Sequence, residues 1–212
     1  MKEDFLRPPR TAAEWVADAL RLIGVLGVVA AALWLQVTDA GIAALALPAL
    51  MLPRMLGMRA GFDLLSSVVV LAATWSNVFE LYTAIRYWDL LMHFAGAGVL
   101  AVIAALILDR CRIAAVTAPG VAARTPLVLL PLIALALSAV WEVIEWFGAE
   151  FLSHAIHVGY RDTIGDMVFG GLGGVAAGIV LTRVSVVRRA TAVHAAGEAA
   201  PAAAAAPLSA DG

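Results

Sequence analysis

Six apolar stretches dominate the chain, at roughly residues 20–35, 41–58, 62–82, 89–108, 126–148 and 163–182. Crossing the hydrocarbon core of a bilayer takes about 20 predominantly apolar residues in a helix, and each stretch comes near that length. Backbone N–H and C=O groups inside a membrane must find partners within the protein, so isolated runs of this kind specify helices. Composition excludes the soluble alternative. Of the 212 residues 63% are apolar, and only 14 basic and 16 acidic side chains are present, whereas soluble domains run at roughly 45–50% apolar and about 25% charged. The expectation is an all-α, polytopic membrane helix bundle of about six transmembrane helices. Residues 1–189 make one integral membrane domain, and the Ala/Pro-rich residues 190–212 read as a disordered cytoplasmic tail. Cys111 is the only cysteine, so no intramolecular disulfide or Cys/His zinc framework holds the fold. No basic stripe suits a nucleic acid.

Local signals refine the spans. Thr11-Ala-Ala-Glu14 reads as a capping box that opens the first helix. A cleaved signal peptide is the competing reading, but the apolar run is long and its leading segment mixes Lys2 with Glu3 and Asp4. The second span is the weakest, because Pro48 and Pro53 interrupt its hydrogen-bond ladder and predict a short, kinked or partly re-entrant segment. Orientation follows from the basic residues, which cytoplasmic loops retain. Lys2, Arg7, Arg10, Arg54, Arg59, Arg110, Arg112, Arg124, Arg183, Arg188 and Arg189 fall on one side of a six-span arrangement, and only Arg86 and Arg161 on the other. Both termini are therefore expected in the cytoplasm of an inner-membrane protein.

Ionisable residues inside spans are costly, and they usually face the bundle interior or a partner. Here they gather at the outer end. Glu80 closes the third span, Asp89 and His93 open the fourth, Glu142 and Glu145 end the fifth, and Asp162 and Asp166 open the sixth. Spacings of i,i+4, i,i+3 and i,i+4 put each pair on one helix face. The Asp162/Asp166 row continues as Gly170, Gly174 and Gly178, a small-residue ladder that lets another helix approach closely. Thr74, Asn77 and Glu80 make a further polar row on the third span.

So many carboxylates in one pocket cannot all stay ionised without cations, so protons, arginines or a metal must be present. A divalent ion answers that need, since carboxylate oxygens with an imidazole suit zinc, manganese or iron. Asp89, His93, Glu142, Asp162 and Asp166 are the expected metal ligands, Glu145 and Glu142 the expected catalytic carboxylates, and Glu80, Asn77 and Arg161 supporting residues. His154 and His157 are weaker candidates for further ligands. Against this stands a structural reading in which Asp89 and Asp162 only cap helices while Arg86 and Arg161 neutralise the cluster.

Three stretches, Trp88-Asp89-Leu-Leu-Met-His93-Phe-Ala-Gly96, Trp141-Glu142-Val-Ile-Glu145-Trp146 and Asp162-Thr163-Ile-Gly-Asp166-Met167, together resemble the YjdF-like family of bacterial inner-membrane proteins. The pattern is more loosely similar to VanZ-like membrane proteins. These resemblances imply an integral membrane protein of this architecture and supply no reaction. Three functions stay open. The first is a metal-dependent hydrolase or transferase acting on a lipid-linked or envelope substrate, with an amphiphilic molecule as partner. The others are proton- or metal-coupled transport and a non-catalytic structural or partner-binding role.

Overall fold

The computed structural model describes residues 2–118, 120–152 and 159–188. The expected tail at 190–212, and His154 and His157, lie outside the described residues. The chain forms eight helices among the described residues: α1 (Lys2–Leu6), α2 (Ala12–Trp34), α3 (Val37–Met55), α4 (Ala60–Ser76), α5 (Leu81–Ala84), α6 (Trp88–Arg110), α7 (Arg124–Phe151) and α8 (Tyr160–Leu181). Five of them, α2, α3, α6, α7 and α8, are long and apolar enough to cross a membrane, and α4 is a shorter apolar helix. Many of their large side chains face outward, among them Leu22, Leu26, Val29 and Leu33 on α2 and Val140, Val143 and Phe147 on α7. That pattern is consistent with embedding in lipid, where outward apolar surface carries no hydration cost.

Two boundaries differ from the sequence reading. The second apolar stretch is an unbroken 19-residue helix that contains Pro48 and Pro53, while the third stretch is the short one, at 17 residues ending at Ser76. Beyond Ser76 the chain turns back. Glu80 and Tyr87 both take positive φ, 55° and 65°, and bracket the single turn of α5. The Tyr82 hydroxyl donates to the Ala73 carbonyl at 3.2 Å, and the Trp88 indole N–H donates to Ser76 Oγ at 2.7 Å. At the start of α2 the expected capping box is half formed. Thr11 Oγ1 accepts from the Glu14 N–H at 3.3 Å, but the Glu14 carboxylate turns to the Arg10 N–H at 2.6 Å and to the Arg7 guanidinium.

Helices α6, α7 and α8 pack as one group and α2, α3 and α4 as another, joined chiefly through α4 and α6. Glycine sets the first group. A Cβ on Gly174 would stand 2.6 Å from Ala134 Cβ and 2.7 Å from Leu130 O, and one on Gly178 would stand 2.8 Å from Pro126 O. The ladder beginning at Gly170 therefore seats α8 on α7. One residue earlier on the helix surface, Gly173 meets the backbone of α6, and a Cβ on Gly98 would lie 2.9 Å from Gly173 O. Between the three helices the interior is apolar, with Ala101, Ala105, Leu130 and Ala134 fully covered.

The second group holds a charged network near the end opposite the acidic cluster. Arg21 forms an ion pair with Asp63, their side chains 7% and 4% exposed. Its Nε also donates to Leu50 O at 3.0 Å and its Nη1 to Asp18 at 2.6 Å. Arg54 adds a contact to Asp18 at 3.2 Å and holds the Phe5 and Arg7 carbonyls at the end of α1. The last described residues close the same end, with the Arg59 N–H on Val186 O at 2.7 Å and the Arg188 N–H on Gly57 O at 3.1 Å.

Candidate functional site

Helix α6 opens with Asp89 in its first turn, and one further turn places His93 over the same face. The His93 ring stays 10% exposed, with Nε2 3.6 Å from Asp89 Oδ1 and 3.8 Å from Asp166 Oδ1 on α8. Asp166 can come so close because the Gly170 and Gly173 turns below it let α8 approach both neighbours. From α7, Glu142 and Glu145 reach the same imidazole. One ligand atom each from Asp89, His93 and Asp166 lie within 4.8 Å of one another, and so do one each from His93, Glu142 and Glu145. His93 belongs to both groups.

Burial separates these carboxylates from ordinary surface acids. Asp166 is 2% and Glu142 8% exposed, and Asp166 Oδ1 and Glu142 Oε1 are covered with no hydrogen-bond partner. Buried polar atoms are nearly always paired, so two orphaned oxygens in one cluster call for an explanation. Among the described residues no lysine or arginine forms an ion pair with Asp89, Glu142, Glu145 or Asp166. Arg86 lies instead over the Tyr87 ring, 4.5 Å from its centroid, and Arg161 is exposed.

The other expected site residues stand apart. Asp162 is exposed and joins neither group. Its i,i+4 spacing does place it in the row of Asp166, but one turn further out, where the helix has just begun. Glu80 lies in the turn past the end of α4, exposed and in neither group. Asn77 donates to Asp39 at 3.2 Å and ties α4 to α3. The row Thr74, Asn77, Glu80 does not exist as a helix face, because α4 ends at Ser76.

Tyr82 borders the cluster. Burial first, and the Asp89 carboxylate after it, push its phenol up to about 12, so the hydroxyl stays protonated and keeps its bond to Ala73. Below the cluster Ser138 lies one turn before Glu142, its Oγ buried and without a partner. Beneath Ser138 come Ala134 and Leu130, both fully buried. On α7 the polar row therefore stops one turn below the carboxylates. Arg21 and Asp63 stand out in the sequence only as ionisable residues that could mark a transport route along the first and third spans; that they pair between α2 and α4 was not foreseen. The signal for that pairing was a lone arginine in one apolar stretch and a lone aspartate in another at similar depth.

A family model described as a predicted membrane protein, DUF2238, matches residues 14–186, a range that takes in every residue of the cluster. No curated protein and no solved structure matches the chain.

Proposed function

We propose that this chain, which belongs to the DUF2238 family of predicted membrane proteins, holds a divalent metal ion among Asp89, His93 and Asp166 and uses it in hydrolysis or group transfer on a lipid-linked or envelope substrate. The observation that carries the reading is the pair of buried, partnerless carboxylate oxygens on Asp166 and Glu142 beside a shared imidazole. Buried carboxylates without basic partners must be met by a proton or a cation, and the donor set of oxygens with one imidazole nitrogen suits zinc, manganese or iron. Such an ion supplies Lewis-acid polarisation of a phosphoryl or carbonyl oxygen and acidifies a water. Glu145, less buried than Glu142 and in the group that shares His93, is the proposed acceptor of that water's proton. The count of basic residues favours this end lying outside the cytoplasm, next to the outer leaflet.

The apolar floor below Ser138 weighs against transport, since a conduit between α6, α7 and α8 would have to cross Ala134 and Leu130. The absence of ion pairs to Arg86 and Arg161, among the described residues, weighs against a purely structural salt-bridge network. Metal analysis of the detergent-purified protein tests the reading. The parent should retain metal through desalting, and Asp89→Asn and His93→Ala should lose it while eluting as the same folded species. A parent without metal, and with a melting temperature indifferent to added zinc, manganese and iron, overturns it.

A further inference from the structure

We infer that the cluster takes two divalent cations, one at the Asp89/Asp166 pair and one at the Glu142/Glu145 pair; this rests on the metal-binding reading above and deepens it. The carboxylates fall into two pairs. Asp89 and Asp166 come from α6 and α8, and Glu142 and Glu145 from α7. Each pair closes a group with His93 within 4.8 Å, yet among the described residues no single group takes in all five side chains. One ion on the Asp89/Asp166 side leaves Glu142 and Glu145 with no cation of their own.

Each group also carries its own mark of a missing partner. Asp166 Oδ1 belongs to the first and Glu142 Oε1 to the second, and both oxygens are buried and unbonded. Charge points the same way. The four carboxylates bring up to four negative charges, no lysine or arginine pairs with them among the described residues, and two divalent ions would balance the fully ionised set, where one leaves half of it to be neutralised by protons. Low-dielectric surroundings make uncompensated charge expensive.

A neutral imidazole offers one lone pair, so His93 would serve one ion while the carboxylates held the other, and two ions in these adjoining groups would supply the clamp that stabilises both the attacking and the leaving oxygen of an in-line displacement. This narrows the substrate to a phosphoester or pyrophosphate, and the outward apolar faces beside the site favour one on a lipid anchor. In this arrangement one oxygen of Glu145 is a ligand and its second oxygen remains to accept the proton.

The test is a Mn2+ titration of the metal-stripped full-length protein in detergent, read by bound-metal analysis and electron paramagnetic resonance. Two ions per chain with an exchange-coupled spectrum are expected. Glu142→Gln with Glu145→Gln should lower this to one ion and restore the isolated six-line signal, as should Asp89→Asn with Asp166→Asn. One uncoupled ion in the parent overturns the two-ion inference and leaves the metal-binding reading standing. No retained ion overturns both. The parent result decides even where a variant fails to fold.

Discussion

Replacing Gly174 by alanine should separate α8 from α7 and loosen the cluster two turns away. The new Cβ would stand 2.6 Å from Ala134 Cβ and 2.7 Å from both Leu130 O and Pro131 Cα. Non-bonded carbon atoms settle at about 3.5–4.0 Å, so the two helices must part by roughly 1 Å. Two of the three obstacles are backbone atoms, which have no rotamer to change. Overpacking of this kind costs about 1–3 kcal/mol, against which alanine recovers about 0.8–1.0 kcal/mol of helix propensity. The net loss against the parent should be up to about 2 kcal/mol, a fall in melting temperature on the order of 2–4 °C per kcal/mol for a chain of this size. Gly96→Ala is the matched control, because a Cβ added at that position on α6 would meet nothing within 4 Å, and it should be neutral or slightly stabilising. Thermal melts in detergent compare the two, and Mn2+ affinity should fall for Gly174→Ala alone, since Asp166 sits on the displaced helix. Equal melting temperatures for both variants would refute the close approach of α8 to α7.

Three further outcomes are expected. Arg21→Met should destabilise the fold by about 3–5 kcal/mol because it strands a buried Asp63; Arg21→Met with Asp63→Leu should recover most of that, and denaturant melts that show no recovery would contradict the pairing. Glu142→Gln should raise the melting temperature of the metal-stripped protein by relieving an orphaned buried charge. The same variant should lower that of the metal-saturated protein, which in the parent gains about 2.7 kcal/mol at ligand concentrations 100-fold above Kd. An effect of one sign in both states would separate Glu142 from the cation.

Periodicity and hydropathy made the spans and three same-face pairs legible, because i,i+3 and i,i+4 spacing and apolar length are local properties. Gly170, Gly174 and Gly178 could be read as a contact face for the same reason. The partner of that face could not, and neither could the role of Gly173 against α6, since helix neighbours are chosen by tertiary packing. The end of α4 was misread. Residues 77–82 look apolar enough to continue it, but the Trp88–Ser76 and Tyr82–Ala73 hydrogen bonds fold the connection back over its end. Asp162 lies one turn further out than Asp166 and joins neither group, which spacing could not show because it does not say where along a helix the neighbours stop. Arg21 and Asp63, 42 residues apart, meet only once three helices are assembled.

The cation is the central claim, and X-ray absorption at the edge of the bound metal tests it most directly. On protein loaded with zinc or manganese and desalted, the account predicts a first shell of oxygens with imidazole nitrogen, and outer-shell scattering from the ring that His93→Ala removes. Absence of bound metal, or an all-oxygen shell that His93→Ala leaves unchanged, would contradict it.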